Sequence, residues 1–196
     1  AGLFKNNSLI GDYSTSNLWL NSVAVAVGNR AIFAQAPSPV PLTIDPYMAG
    51  LLHNAGISIE HQCFFDEGFE QAVHDRIRNE SMLWEEEQKH LGITHTVLGM
   101  EIGRHWSFPE DLLAVIAHHH DLDVENPQQE LLLHVTRASE LLAFELGYGY
   151  SDFCARHKPQ YDESRKRLGI DDERFSIIKD RIAIEVNMLK DLGWFS

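Results

Sequence analysis

With 196 residues, of which 44% are hydrophobic and 23% charged, the chain has the length and composition of one well-packed globular domain. Its formal net charge of −13, from 16 basic and 29 acidic residues, argues against a nucleic acid as the main partner, because a phosphate-binding surface needs clustered Lys and Arg. No apolar run of roughly 20 residues and no signal sequence are recognisable, and there are only two cysteines; these features argue against a membrane span and a disulfide framework and favour the cytoplasm.

The first third of the chain predicts two helices joined by an extended connection. Apolar residues recur mostly at helical spacing, and no long alternating strand pattern is present. Ser14–Ser16 can cap a first helix that is apolar on nearly all sides as far as Ile32, so this helix is expected to be buried. Three prolines within residues 37–41 favour an extended segment. Asp45–Pro46 is typical of an N-cap and first turn, and predicts a helix through His53.

The rest of the chain continues as helices with short connections. They are predicted from about Asp66 to Asn79, from about Ser81 to His90, from Thr94 to His105, from a capping box at Ser107, Pro109 and Glu110 to His118–His120, and from Asn126 to near Gly147. A polar stretch around Lys158 to Asp162 follows, and Asp171 then caps a last helix with the apolar stripe Phe175, Ile178, Ile182, Val186 and Leu189. We therefore expect one all-α unit over residues 1–196 with about eight helices, the last of them, in residues 171–196, packed on the others.

The placement of the 11 histidines indicates a possible metal site. His53 lies in an apolar context, His95 opens a predicted helix, and His118–His120 close another. Neighbouring positions on a helix point about 100° apart, so two of three consecutive histidines can reach one cavity. Three helices that deliver imidazoles to one interior would suit zinc, iron or nickel. The alternatives are hydrogen-bonded core histidines and, for the trio, partly cationic imidazoles at a helix C-terminus.

Two segments carry a resemblance to a known family. The string GLLHNAG at residues 50–56 is similar to the LLHDIG segment of HD-superfamily phosphohydrolases. The string HTVLGMEIGRHWSFPEDLLAVIAHHHD at residues 95–121 resembles the HD-related output domain (HDOD) family more specifically. Weaker similarity, in LWLNSVAVAV and VTRASELLAFELG, extends the match over residues 18–147. The resemblance implies an HD-like helical bundle with a role in bacterial signal transduction, preceded in most members by a further helical portion, most of which this chain is expected to lack.

The resemblance also places the family's metal-binding positions on this chain. In chain order they fall on Asn21, His53, Asn54, His95, His119, His120 and Ser139. In catalytic members the aspartates hold divalent ions that activate water against a phosphoester. Here one histidine and both aspartates are replaced by neutral side chains. The resemblance therefore implies a degenerate site that holds at most one divalent ion (zinc, iron, nickel or manganese), or no ion at all.

The replaced positions also have explanations that involve no metal. Asn54 can satisfy backbone groups near the Gly56 turn, Asn21 can form a hydrogen bond inside a crowded helix, and the hydroxyl of Ser139 can bond a carbonyl one turn back. Other carboxylates nearby in sequence could stand in for the lost ones. They are Asp121, Asp123 and Glu140.

Three further features are interpreted as ordinary structure. The pair His74–Asp75 spells HD but lies in a polar amphipathic stretch. His61 and Cys63 have no second thiol or histidine at zinc-finger spacing, so packing explains them. The basic run Arg165–Arg167 is interpreted as a solvated helix face.

The sequence thus predicts a non-catalytic regulatory module with a degenerate metal site, which acts through a signalling protein partner or a small ligand; a homo-oligomer is compatible with these features. The alternative is a metal-dependent phosphohydrolase that uses His53, His95, His119 and His120 with a carboxylate supplied from elsewhere. A third interpretation is a helical scaffold without any ligand.

Overall fold

The chain folds as a bundle of helices. A computed structural model describes residues 10–35, 43–122, 124–152 and 154–193. In these residues the all-α prediction is confirmed, and the secondary structure besides helices is an isolated β-bridge between Ile10 and Tyr13. The helices are α1 (Thr15–Phe33), α2 (Pro46–Leu52), α3 (Ala55–Phe64), α4 (Phe69–Asn79), α5 (Leu83–His90), α6 (His95–His105), α7 (Glu110–His118), α8 (Pro127–Glu145), α9 (Lys158–Arg167) and α10 (Asp172–Asp191), with 3-10 turns at Phe65–Glu67 and Ala155–His157.

Most of the predicted helix starts are confirmed by their caps. At five of them a side-chain oxygen accepts a hydrogen bond from a backbone N–H in the first turn, which satisfies a donor that the helix itself leaves unpaired. These N-cap residues are Ser14, Asp45, Thr94, Asn126 and Asp171. The predicted extended segment at Pro37, Pro39 and Pro41 lies outside the described residues.

Three details of the prediction are wrong. The capping box before α7 does not form, because Pro109 occupies the N-cap position and Ser107 takes a left-handed φ of 59°. The helix through His53 is followed at once by α3, which was not predicted. The polar stretch at Lys158–Asp162 is the start of α9. This helix buries one narrow face through Tyr161 and Ser164, while its other residues are half-buried or exposed.

The core is built around α1, which packs against α2, α8 and α10. As predicted, α1 is buried on nearly all sides. The predicted stripe of α10 is also confirmed, since Phe175, Ile178, Ile182 and Val186 are buried in the same cluster. Each such side chain stabilises the fold by about 1.5–3 kcal/mol. The C-terminal ends of α2 and α7 and the N-terminal end of α6 lie around one interior region.

The part of the chain that the structure describes contains no helix that could span a membrane. None of the helices there combines the length and the apolar character that crossing a bilayer requires.

Candidate functional site: a buried histidine–carboxylate cluster

The structure brings the four predicted histidines together. His53 follows α2, His95 is the first residue of α6, and His119 and His120 follow α7. The ring centroids of His119 lie 5.3 Å from His53, 5.5 Å from His95 and 3.9 Å from His120. His118 points away, is part-exposed, and contacts Asp121 instead. Two of the three consecutive histidines therefore reach one interior, as the helical geometry predicts.

A close contact between helices α3 and α6 positions His95. A Cβ atom on Gly56 would lie 2.7 Å from the carbonyl carbon of His95 and closer still to its oxygen. Gly99 lies one turn further along α6, and a Cβ atom on it would lie 3.2 Å from the backbone nitrogen of Gly56. Because only glycine leaves room for this approach, the final glycine of GLLHNAG sets the position of the His95 backbone.

Three of the histidines have their Nδ1 atoms bonded to acceptors outside the cluster. The Nδ1 atom of His53 lies 2.7 Å from the carbonyl oxygen of Gly50, and that of His119 lies 3.0 Å from the carbonyl oxygen of Val115. The Nδ1 atom of His95 lies 2.8 Å from a carboxylate oxygen of Glu87. Since these oxygens only accept, each Nδ1 must carry the proton and donate it. In the neutral ring, Nε2 then bears a lone pair that faces the cluster.

Several of the inward-facing atoms have no hydrogen-bond partner. Within the described chain this holds for Nε2 of His53, Nε2 of His119 and both carboxylate oxygens of Glu140, all of which are buried. Buried polar atoms are nearly always paired in folded proteins. Lone-pair atoms that converge without donors are the arrangement that a cation satisfies.

Carboxylates also enter the cluster, which corrects the expectation that this interior has lost its acidic groups. The Oδ2 atom of Asp152 lies 2.8 Å from Nε2 of His120 and 3.7 Å from Nε2 of His95. An oxygen of Glu140 lies 3.6 Å from Nε2 of His53. We call His53, His95, His119, His120, Glu140 and Asp152 the buried cluster. Within it, ligand atoms of His95, His119, His120 and Asp152 all lie within 4.8 Å of one another.

Asp152 arrives in the cluster on a loop rather than on a helix. The segment after α8 passes so close to the start of α1 that a Cβ atom on Gly149 would overlap the carbonyl oxygen of Asn17. Gly149 has a φ of 71°, which glycine adopts without strain. The next residue, Tyr150, donates its backbone N–H to the same carbonyl at 3.0 Å. This anchor directs the chain inward at Asp152.

The pKa values of two histidines in the cluster are shifted in opposite directions. Burial, together with the neighbouring rings of His120, His53 and His95, lowers the pKa of His119 well below its ordinary value, so this ring is neutral. Burial would also lower the pKa of His95, but the carboxylates of Glu87 and Asp152 outweigh it and raise the pKa.

The carboxyl group of Asp152 stays ionised. Burial alone would raise its pKa, but the adjacent His120 and, further off, His95 and His119 hold the pKa of Asp152 well below its usual range. Its two oxygens thus offer a full negative charge to the interior of the cluster.

A second carboxyl pair lies behind His95. Ligand atoms of Glu60, Glu87 and His95 lie within 4.8 Å of one another, and all three side chains are buried. Burial and the charge of Glu87 raise the pKa of Glu60 to about 11. Glu60 is therefore protonated at neutral pH, and Glu87 carries the negative charge that faces His95.

Comparison with known proteins agrees with this architecture. Residues 2–122, well over half of the chain, match the family model of the HDOD domain. The chain belongs to the HDOD family. No curated protein sequence matches this HDOD chain.

Solved structures share the fold at low identity. An HDOD domain protein of unknown function from Geobacter sulfurreducens is 22% identical over 91% of this chain, with a TM-score of 0.68. A candidate signal transduction protein from Marinobacter aquaeolei VT8 is 20% identical over 95%, with a TM-score of 0.70. The response regulator MmoQ from Methylococcus capsulatus is 17% identical over 87%, with a TM-score of 0.61. The HDOD chain spans 63%, 42% and 62% of these proteins, respectively.

The three positions at which the resemblance predicts replaced metal ligands differ in their surroundings. The hydroxyl of Ser139 donates to the carbonyl of Val135 at 3.0 Å, one turn back, as its explanation without a metal predicts. Asn21 donates its amide to the carbonyl of Tyr148 at 3.4 Å. The buried amide of Asn54, by contrast, has no partner among the described residues. Asn21 and Ser139 therefore have structural roles, and the ligand role of Asn54 stays a prediction.

The other candidates lie elsewhere. Asp121 is mostly exposed beside His118, and Asp123 lies outside the described residues. His74 is exposed, and Asp75 contacts His90 at 3.0 Å.

The histidine and cysteine interpreted as packing residues behave differently from each other. His61 is buried against the rings of Tyr13, Phe65 and Phe69, whereas Cys63 is exposed. Packing thus accounts for His61, and neither residue belongs to the buried cluster.

Proposed function

We propose that this HDOD chain is a non-catalytic regulatory module whose buried cluster holds a single divalent ion, and that it acts through a signalling protein or a small ligand. The family membership and the signalling descriptions of two structural neighbours support the regulatory part. That the module acts through a partner is likewise part of this proposal.

The donor set fits a divalent ion. His95, His119, His120 and Asp152 would hold it, with His53 and Glu140 beside them. Three imidazoles and one carboxylate suit zinc, iron or nickel better than magnesium or calcium, and manganese is a weaker candidate. The Nδ1 bonds of His95 and His119 fix ring orientation as they do in metal sites, because the outer acceptor keeps the Nε2 lone pair directed inward.

The burial of the cluster is the observation that supports a non-catalytic role. The side chains of His95 and Asp152 are 0% and 1% exposed, and His120 is 8% exposed. A bound ion supplies Lewis-acid chemistry, and in a hydrolase it needs an open coordination position that the substrate can reach. A set of ligands closed off from solvent instead resembles a structural site, in which the ion ties α6, α7 and the Asp152 loop together.

A phosphohydrolase is the second candidate, and one observation favours it. Asp152 and Glu140 supply anionic oxygens that can stand in for the two aspartates replaced according to the resemblance. Hydrolysis would then require the cluster to open toward solvent.

An activity assay separates the two candidates. Protein loaded with manganese, nickel or iron is incubated with p-nitrophenyl phosphate and bis(p-nitrophenyl) phosphate, beside the variant Asp152→Asn. We expect no release of p-nitrophenol above the background of the variant. Metal-dependent release that Asp152→Asn abolishes would establish the hydrolase instead.

A further inference from the structure

Arg137 is a buried cation that holds the backbone of the buried cluster. It lies on α8 and is 4% exposed. Its Nε atom donates to the carbonyl oxygen of His119 at 2.6 Å, and its Nη2 atom donates to the carbonyl oxygen of His120. One edge of the planar guanidinium thus satisfies two backbone carbonyls just after α7, and the ring of Tyr161, with its centroid 5.5 Å away, packs against the guanidinium.

The opposite edge of this guanidinium is unused. A guanidinium has five N–H donors, of which the two carbonyls take two. In the described part of the chain, Nη1 of Arg137 has no hydrogen-bond partner and is not enclosed by protein. Nor does Arg137 form an ion pair with a described carboxylate. Buried arginines are nearly always paired with a negative charge, and carbonyl oxygens carry none.

Arg137 lines a cavity of about 520 Å³ between α8, α9 and Leu122. This volume is within the range of about 300–1,000 Å³ that is usual for small-ligand pockets. The buried side chains of His134 and Ser164 lie beside Arg137 and are bonded to each other, Nδ1 to Oγ, at 3.0 Å. Since Arg137 is almost fully buried and lines this cavity, its Nη1 atom meets solvent there.

We propose that this cavity binds a small molecule with one carboxylate and a short apolar body, and that the carboxylate pairs with the free edge of Arg137. The inference deepens the proposed function by naming the class of small ligand. One N–H from each Nη atom forms a fork that matches the two oxygens of a carboxylate. The ligand supplies the negative charge that Arg137 lacks, while Leu122 and Pro159 contact the apolar body.

The rim of the cavity favours one negative charge over two. Glu130 and Glu163 lie 3.3 and 3.8 Å from the exposed guanidinium of Arg167. Two carboxylates and one guanidinium leave this rim with a net negative charge. A dianion such as a phosphate monoester is repelled by this rim, whereas a monocarboxylate needs only the one cation inside the cavity.

Arg137 couples the carboxylate site to the buried cluster. Its guanidinium contacts the backbone of His119 and His120, and its positive charge opposes that of a divalent ion bound beside it. A bound carboxylate neutralises this charge and therefore strengthens ion binding. By linkage, the ion strengthens carboxylate binding by the same factor, which is typically about 5–150-fold in coupled sites.

The experiment compares isovalerate with two molecules of the same shape, the neutral isovaleramide and the cationic isoamylamine. Chemical-shift titration gives the dissociation constant of each probe, the Nε–H signal shows whether Arg137 is contacted, and chelator competition gives the zinc dissociation constant. Arg137→Lys keeps the charge but loses the fork, and Gln160→Trp narrows the cavity from its exposed rim. Arg174→Lys and Gln71→Trp make the same changes at exposed positions elsewhere and are the matched controls.

Isovalerate is expected to bind the wild type with a millimolar dissociation constant, to shift the Nε–H signal of Arg137 and to tighten zinc binding about fivefold or more. Isovaleramide and isoamylamine should bind about tenfold more weakly or less, because they lack the charge-assisted pair. Arg137→Lys and Gln160→Trp should weaken isovalerate binding by about tenfold or more, whereas both controls should bind like the wild type.

Equal binding of isovalerate and isovaleramide overturns this inference. So does a folded Gln160→Trp that binds isovalerate like the wild type, and this variant decides the matter if Arg137→Lys does not fold. Binding that leaves the zinc affinity unchanged overturns the coupling. A wild type that binds isovalerate but no zinc overturns the proposed function together with the coupling, and leaves the carboxylate site in place.

Discussion

The Nδ1 atom of His95 lies 2.8 Å from a carboxylate oxygen of Glu87, and both side chains are 0% exposed. The same oxygen, Oε2 of Glu87, also accepts a hydrogen bond from the backbone N–H of His95 at 2.8 Å. Glu87 thus fixes both the backbone and the ring of His95 at the start of α6. A carboxylate in this position orients a metal-binding imidazole and increases its basicity.

The variant Glu87→Gln is expected to weaken zinc binding by about 10–100-fold. The amide keeps the size of the side chain but loses the charge that polarises His95. Chelator competition measures the zinc dissociation constant. Glu101→Gln, on the exposed face of α6, is the control and should bind zinc as the wild type does. Equal affinities in all three proteins would remove Glu87 from the site.

The variant Asp152→Asn should lose about half or more of the stabilisation that zinc confers. An ion at 100 times its dissociation constant stabilises the folded state by about 2.7 kcal/mol, and a tenfold loss of affinity removes about 1.4 kcal/mol of this. Thermal unfolding with and without zinc measures the difference. Asp121→Asn removes an exposed carboxylate nearby and should respond to zinc like the wild type. A full zinc response in Asp152→Asn would exclude Asp152 as a ligand.

The raised pKa of Glu60 makes a prediction about the pH dependence of stability. With a pKa of about 11 in the folded protein, Glu60 holds a proton that it releases on unfolding at any pH above the ordinary glutamate pKa of 4.5. Folding therefore takes up a proton, and the free energy of unfolding falls by up to about 1.4 kcal/mol for each pH unit above that value. The stability that depends on this proton is fully present below the pKa of Glu60 in the unfolded chain. It is lost as the pH rises toward the pKa of Glu60 in the folded protein.

The variant Glu60→Gln has no proton to lose at this position, so it removes the fall in the free energy of unfolding that Glu60 causes at high pH. It should stabilise the metal-free protein by about 1–3 kcal/mol near pH 8 and change little near pH 5. Urea unfolding at the two pH values measures the free energy of unfolding, and Glu70→Gln, an exposed residue of α4, should have no such effect. A change that is the same at both pH values would contradict the buried, protonated state of Glu60.

Gly56→Ala tests the contact that positions His95. The added methyl group meets backbone atoms of His95, which cannot move without shifting α6, so we expect a loss of about 3 kcal/mol. Gly92→Ala has open space around its Cβ and differs only by its φ of 71°, so it should cost about 1–2 kcal/mol. Denaturant midpoints compare the two. An equal loss would mean that the close contact contributes nothing.

Much of the fold follows from residues that are close in sequence. Caps such as Ser14, Asp45 and Asp171 act on the next turn, and the stripe of α10 repeats at helical spacing, so local reasoning found them. Helix α9 was missed because its buried face is narrow, with Tyr161 and Ser164 set among charged side chains. A pattern that weak is not distinguishable from a solvated stretch by periodicity alone.

The histidines and the candidate carboxylate Glu140 could be named from the sequence, but Asp152 and Glu87 could not. His53, His95, His119 and His120 lie in segments that resemble the HDOD pattern. Asp152 lies in a loop beyond those segments, and tertiary contacts at Gly149 bring it inward. Glu87 is the last of three consecutive glutamates, a run that usually indicates a solvated face. Proximity in space, which gives both acids their role, has no signal in either local pattern.

Metal content decides whether the buried cluster holds an ion. Elemental analysis is made on the wild type and on the neighbouring variants His119→Asn and His118→Asn, after incubation with zinc and removal of the excess, and circular dichroism verifies that each is folded. His119 lies inside the cluster, whereas His118 lies outside it beside Asp121. We expect one ion per chain in the wild type and in His118→Asn, and none in folded His119→Asn. A wild type without metal, or a folded His119→Asn that retains its full metal content, would contradict the proposed site.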